Sequence, residues 1–119
     1  MKNEDVGFAR LVSAAKYSMA GFKAAYTGEA AFRQEVWLAI VLIPLGLYLG
    51  DTPIEKGLLV VSVMLLMVVE LLNTGIETVV DRIGDEYHEL SGKAKDICSA
   101  AVMMAIGILI VIWVSVLAN

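Results

Sequence analysis

The chain has 119 residues, a formal net charge of −4 and a hydrophobic fraction of 59%. A soluble domain of this size has too little interior for so much apolar side chain, so the composition excludes an ordinary small soluble protein and indicates a membrane protein. Cys98 is the single cysteine, which excludes a disulfide framework within the chain. The start is polar and no short apolar segment with a cleavage site follows, so no signal peptide is expected.

The first predicted element is an amphipathic helix over about residues 5–27. Its polar face carries Arg10, Ser13 and Tyr17. At 100° per residue the apolar side chains fall within an arc of roughly 100°, and they are Phe8, Leu11, Val12, Ala15, Met19, Phe22 and Tyr26. This pattern favours a helix lying in the membrane interface. A helix packed on a partner helix is the alternative.

Three weakly charged runs follow and predict membrane-spanning helices over about residues 30–50, 55–83 and 91–118. A helical span needs about 20 apolar residues. The last run is uncharged from 97 to 119, and the middle run carries only Glu70 and Glu77 between 57 and 80. The first run is uncharged from 36 to 50 and reaches spanning length by including 30–35. The sequence therefore predicts an all-α membrane protein forming a single domain.

Basic residues are unevenly distributed around these spans. The first connection contains only Lys56, whereas the other basic residues precede the first span or lie in the second connection: Lys2, Arg10, Lys16, Lys23, Arg33, Arg82, Lys93 and Lys95. By the positive-inside rule, the N-terminus and the second connection are expected in the cytoplasm and the C-terminus outside.

A polar stripe interrupts the middle apolar run. Glu70, Asn73, Glu77 and Asp81 are spaced by three and four residues, so on a helix they share one face, while apolar neighbours keep the other faces. Glu70 lies about 18 Å along the axis from the expected water boundary at Arg82. A carboxylate inside a membrane is costly and is a functional candidate by default, here as a general base. The structural alternative is that Glu70 and Asn73 only hydrogen-bond neighbouring helices.

The segments that flank the spans carry further polar residues. Glu29 and Glu77 are both expected at the cytoplasmic level, where two carboxylates could hold Mg²⁺ together with substrate phosphates. In the second connection, Gly84 is predicted to end one helix and Ser91 to cap the next. Lys95 would then lie in a first turn, where it opposes the helix dipole, so an anionic partner is expected there.

Two segments, EAAFRQE (29–35) and VELLNTGIETVVDRIGDEYHELSGKAKD (69–96), resemble the small bacterial integral-membrane diacylglycerol kinases. The resemblance covers nearly the whole chain, from Gly7 to about Trp113, and its central motif E-x-x-N-x-x-x-E-x-x-x-D is highly specific. It implies a homotrimer in the bacterial inner membrane, with composite active sites at the cytoplasmic surface. The implied reaction is phosphorylation of diacylglycerol to phosphatidic acid by ATP with Mg²⁺, and no nucleic-acid partner is expected.

The resemblance also implies roles residue by residue. Glu70 would be the general base, Glu29 and Glu77 would hold Mg²⁺, and Asn73 and Asp81 would support the site. The ATP site would be formed by Arg10, Tyr17, Glu29, Glu77, Glu86, Tyr87, His88, Lys95 and Asp96. The lipid substrate would contact Arg10, Ser18, Lys23, Arg33, Glu35, Lys56, Glu70, Ser99 and Trp113.

Alternatives to this interpretation remain at the level of sequence. An undecaprenol kinase, from a related branch, shares the central motif. A small proton-coupled transporter would use Glu70 but gives no role to Lys95, and a structural bundle subunit would tolerate Glu70→Gln. Met19 and Ala20 depart from the family pattern, which has a large aromatic and a basic residue there, and this puts lipid affinity or access in question.

Overall fold

The computed structural model describes residues 6–84, 86 and 88–118, and this part of the chain is helical apart from short connections. The four helices are α1 (Gly7–Gly28), α2 (Ala30–Leu49), α3 (Pro53–Ile83) and α4 (Glu89–Leu117). The last three are long and apolar enough to cross a membrane. The predicted fold class, an N-terminal helix followed by three candidate membrane helices, is therefore confirmed.

The connection between α2 and α3 is short, and its residues cap the start of α3. The Thr52 hydroxyl accepts a hydrogen bond from the Glu55 N–H at 3.1 Å, and the Glu55 Oε1 accepts from the Asp51 N–H at 2.9 Å. Pro53 occupies the start of the helix, where its missing N–H is harmless. Gly50 is required by close approach, since a Cβ there would lie 2.8 Å from the Lys56 backbone nitrogen.

The start of α4 differs from the sequence prediction. His88, not Ser91, is the capping residue, and its Nδ1 accepts a hydrogen bond from the Leu90 N–H at 3.1 Å. The helix begins at Glu89, so Ser91 lies inside it and Lys95 lies in its second turn. The predicted Ser91 cap was wrong because the helix begins before Ser91. The His88 imidazole nitrogen already accepts a hydrogen bond from a free backbone N–H in the first turn.

The third helix is the centre of the packing and contacts each of the other three. Its buried side chains Leu59, Val63, Leu66 and Glu70 recur every three or four residues and so form one face. By contrast, Ala25 is the buried residue of α1, and the apolar face of that helix is largely exposed in the single chain. Such a face suits either a membrane surface or a partner helix.

A hydrogen-bonded cluster ties α4 to α3 near the Gly50 end of the bundle. The Trp113 Nε1–H is shared between the Ser62 Oγ at 3.0 Å and the Leu59 carbonyl at 3.3 Å, and the Ser62 hydroxyl donates to the same carbonyl at 2.8 Å. The second helix fits closely here, because a Cβ at Gly46 would lie 3.0 Å from the Leu59 Cβ. The three predicted spans therefore meet at this cluster.

Replacing Trp113 by Phe should destabilise the fold while leaving apolar contacts in place. The change removes the donor shared by Ser62 and Leu59, which is worth about 1 kcal/mol of unfolding free energy. Reversible denaturation in detergent micelles measures this loss, with Trp37→Phe as the matched control, since Trp37 is 61% exposed on α2. Equal stability of the two variants would contradict a structural role for the cluster.

Candidate active site

The buried carboxyl of Glu70 faces a cavity of about 600 Å³ between α2, α3 and α4. Glu70 is only 4% exposed. The polar side chains that line the cavity are Gln34, Glu35, Glu70, Asn73, Glu77 and Ser99, and the rest of the wall is mostly apolar. The first three members of the predicted stripe, at 70, 73 and 77, therefore face one cavity. The acidic groups of this cavity are surrounded by apolar side chains, which are suited to contact with acyl chains.

The amide of Asn73 orients Glu77. The Asn73 Nδ2–H donates to the Glu77 Oε1 at 2.7 Å, one helical turn along α3, and both side chains are half-buried. A hydrogen bond of this length to a carboxylate restricts rotation of the Glu77 side chain. It therefore also limits the directions in which the other carboxylate oxygen can point. The role of Asn73 as a supporting residue of the site stays a prediction.

A second helix adds Glu35 to this cavity. Within the described part of the chain, the Glu35 Oε1 is buried and has no hydrogen-bond partner. Glu35 and Glu70 line this cavity from two different helices. A buried unpaired acceptor of this kind is uncommon in folded proteins, which makes Glu35 a candidate for the site.

Glu29 lies at a different place, in the single-residue break between α1 and α2. It lines a second cavity, of about 580 Å³, formed by one face of α1 against Leu71, Thr74, Gly75 and Thr78 of α3. Ser18 lines this cavity as well, as does Phe22, and most of its wall is apolar. Within one chain, Glu29 and Glu77 therefore line separate cavities.

Glu29 and Glu77 are carboxylates of the kind that hold Mg²⁺ together with a nucleotide, although they line separate cavities within one chain. Among the described residues there is no group of three histidine, cysteine or acidic side chains that could hold a metal ion alone. Magnesium does not require one, because it is commonly bound by one or two carboxylates, with phosphate oxygens and water completing the octahedron. If Glu77 binds a metal, its hydrogen bond from Asn73 would provide the orienting contact that a metal ligand needs.

The fourth member of the stripe, Asp81, belongs to a third cavity at the turn between α3 and α4. The Lys95 Nζ donates to the Asp81 Oδ1 at 2.7 Å, forming an ion pair between the two helices. This cavity of about 390 Å³ also contains side chains of Glu86 and His88. It is the most polar of the three cavities and brings together four of the residues predicted for the nucleotide site or its support.

The remaining predicted site residues are more dispersed. Arg10, Tyr17, Lys23 and Asp96 are exposed and line none of these three cavities, while Tyr87 lies outside the described residues. Lys56 lies about 21 Å along α3 from Glu70 at 1.5 Å per residue. Trp113 contacts Ser62 rather than the Glu70 cavity, and Arg33 contacts the backbone of α1. The predicted lipid contacts therefore do not form one continuous surface within a single chain.

Gln34 and Thr74 are among the polar cavity-lining residues that the sequence analysis did not assign to the site. Gln34 lines the Glu70 cavity, and Thr74 lines the cavity next to α1 with a buried hydroxyl that has no partner in the described part of the chain. Gln34 is adjacent to Glu35 in a segment that was already singled out, so its neighbourhood was the available signal. Thr74 gave none, because a threonine in a membrane helix usually bonds its own backbone, as Thr78 does to the Thr74 carbonyl at 2.8 Å.

The fold and these cavities define a small helical membrane protein with an acid-rich site set among apolar helices and an ion-paired polar cavity beside it. Comparison with known proteins agrees with this class. The chain belongs to the prokaryotic diacylglycerol kinase family, whose family model matches residues 16–117.

Named relatives support the same assignment along almost the full chain. A diacylglycerol kinase of Haemophilus influenzae is 51% identical over 111 residues, covering 93% of this chain and 94% of the relative. A diacylglycerol kinase of Escherichia coli K12 is 50% identical over 113 residues, covering 95% and 93%. One from Pseudomonas aeruginosa is 46% identical over 111 residues, covering 93% and 90%. Family membership places the chain among the lipid kinases and favours that class over the transporter and structural-subunit hypotheses.

Proposed function

We propose that this chain is an ATP-dependent diacylglycerol kinase that releases phosphatidic acid and ADP. One observation supports the proposal beyond family membership. Glu70 is only 4% exposed and faces a largely apolar cavity, whose polar lining consists mainly of carboxyl and amide groups. Such a cavity can accept a lipid hydroxyl while excluding bulk water, which would otherwise compete as the phosphoryl acceptor. This burial supports the proposal that Glu70 acts as a general base rather than as a surface charge.

In the proposed reaction, Glu70 takes the proton of the lipid hydroxyl. The lipid oxygen forms a bond to the γ-phosphorus while the bond from that phosphorus to the bridging oxygen of ADP breaks. Phosphoryl transfer of this kind depends mainly on positioning and charge neutralisation, so the protein has little covalent chemistry to supply. Glu35 and Ser99, which share the cavity with Glu70, would contact the headgroup end of the lipid.

The nucleotide is proposed to bind at the polar cavity between α3 and α4. Lys95 would contact its phosphates with Asp96, and the further residues of this site would be Arg10, Tyr17, Glu86, Tyr87 and His88. Glu29 and Glu77 would hold Mg²⁺, which when bound neutralises phosphate charge. Asp81 supports Lys95 through the ion pair of 2.7 Å.

A homotrimer would resolve the dispersion of these residues. Glu29 and Glu77 line separate cavities in one chain, and α4 has little buried surface apart from Ala105. We propose composite sites in which a neighbouring chain supplies part of the wall, with lipid contacts extending to Ser18, Lys23, Lys56 and Trp113. The site would face the cytoplasm in a bacterial inner membrane, with the C-terminus outside. Native mass measurement in detergent tests the trimer, and a monomeric active enzyme would exclude it.

Labelled MgATP in mixed micelles tests the reaction itself. We expect label to enter phosphatidic acid when diacylglycerol is offered, and no labelled lipid when triacylglycerol replaces it, because that lipid has no free hydroxyl. Release of labelled inorganic phosphate without any labelled lipid would show an ATPase and contradict the proposal.

A further inference from the structure

Arg33 joins the first two helices through hydrogen bonds to backbone carbonyls. Its Nη1 donates to the carbonyl of Tyr26 at 2.9 Å and to that of Thr27 at 3.1 Å. Both carbonyls belong to the last turn of α1, where backbone acceptors lack partners within the helix. The positive guanidinium also lies at the negative end of the α1 dipole. Within the described part of the chain it makes no ion pair, so these carbonyls are its recorded partners.

The joint that Arg33 spans consists of a single non-helical residue, Glu29. Glu29 has an extended backbone, with φ −125° and ψ 115°, and it ends α1 and precedes α2. Its N–H donates to the Ala25 carbonyl at 2.9 Å, and its own carbonyl accepts from the Arg33 N–H at 3.2 Å. One extended residue between two helices can pivot, because rotation about it moves both helices as rigid bodies. The Arg33 side chain bridges this pivot from one side to the other.

The position of this joint also determines what α1 packs against. Residues of α1 between Ser18 and Glu29 form one wall of the cavity whose other wall includes Thr74 of α3, and Ala25 is buried in the same region. The carboxylate of Glu29 therefore has a fixed place only while α1 keeps its angle to α2. Loss of the two Arg33 hydrogen bonds would allow the angle between α1 and α2 to vary. The side chains that line the cavity would all still be present.

We propose that Arg33 is a positioning residue that holds the α1–α2 joint and acts through Glu29, rather than a contact for the lipid. The inference about Mg²⁺ rests on the proposed function, in which Glu29 is a metal ligand. The geometric part, the control of the angle between α1 and α2, stands apart from it. The two parts call for two measurements.

The first measurement is the Mg²⁺ dependence of lipid phosphorylation. Arg33→Gln should raise the Mg²⁺ concentration for half-maximal rate by about 10-fold, as loss of a residue supporting a metal ligand does, with little change in KM for diacylglycerol. Arg33→Lys should restore most of the wild-type Mg²⁺ dependence, because an ammonium group can donate to both carbonyls. The matched control is Arg82→Gln, an exposed arginine in the last turn of α3.

The second measurement is the distance between α1 and α2. Spin labels at Lys16→Cys and Val41→Cys, both exposed positions, in a Cys98→Ala background report the angle at the joint. Labelled chains are diluted into unlabelled chains so that distances within one chain dominate. Arg33→Gln should broaden the distance distribution. Arg82→Gln should leave the distribution the same as in labelled chains that keep both arginines.

The outcomes separate this inference from the proposed function. A raised KM for diacylglycerol with an unchanged Mg²⁺ dependence and an unchanged distance distribution would overturn the inference and make Arg33 a lipid contact. A broadened distribution with no change in Mg²⁺ dependence would keep the joint but refute action through Glu29. If the unsubstituted chain phosphorylates no lipid, the proposed function fails, and the distance measurement still decides whether Arg33 holds the joint.

Discussion

Glu70→Gln is expected to lower kcat for diacylglycerol phosphorylation by about 100- to 10,000-fold, the range that a general base supplies. The amide keeps the size of the side chain and its place in the cavity but cannot take the proton of the lipid hydroxyl. Since Glu70 is buried on the packed face of α3, the fold must be checked by the denaturation profile of the variant. Initial rates in mixed micelles at saturating MgATP and lipid give kcat directly.

The control for this prediction is Glu89→Gln, which removes an exposed carboxylate from the first turn of α4. It should leave kcat within about twofold, because an exposed charge outside the cavity contributes little to the chemical step. A folded Glu70→Gln enzyme with wild-type kcat would exclude the general-base role and support the alternative in which Glu70 only hydrogen-bonds neighbouring helices.

Lys95→Met should lower kcat/KM for ATP by about 100-fold or more, as loss of a donor to a charged transition state does. Its ion-pair partner gives a contrast. The Asp81 and Lys95 side chains are 64% and 45% exposed, so the pair itself contributes little stability. Asp81→Asn should therefore cost less than about 10-fold, because Lys95 can still reach a phosphate without it.

Steady-state kinetics with ATP as the varied substrate distinguishes the two effects, with Lys93→Met as the control for loss of a nearby exposed lysine. Equal losses for Asp81→Asn and Lys95→Met would show that the ion pair, not the lysine charge, is the functional unit. In that case the assignment of Lys95 to the phosphates would fail.

Local patterns were enough to predict the elements and the polar stripe. Weakly charged runs of spanning length lie in the three long helices, and spacing by three and four residues placed Glu70, Asn73 and Glu77 on one face, where they line one cavity. These features depend on helical periodicity and on apolar composition, which a sequence displays directly. The resemblance to a known family then added the residue roles, which periodicity alone does not provide.

Features that depend on tertiary contacts were not predictable in this way. Whether Glu35 and Glu70 share a cavity depends on how α2 packs against α3. The bond between Trp113 and Ser62 joins residues 51 positions apart, and Arg33 reaches back across a helix break. The cap of α4 was misplaced for a more local reason: serine is the commoner capping residue, but His88 has an acceptor nitrogen two residues before Leu90.

The central claim is that the Glu70 cavity serves the phosphorylation of diacylglycerol, and a competition experiment tests it most directly. Diacylglycerol and undecaprenol are offered together at equal surface concentration in mixed micelles with labelled MgATP, and the labelled lipids are separated and counted. Our account predicts label predominantly in phosphatidic acid. Label predominantly in undecaprenyl phosphate would contradict it and assign the chain to undecaprenol phosphorylation, while a folded protein that labels neither lipid would contradict the lipid-kinase function as a whole.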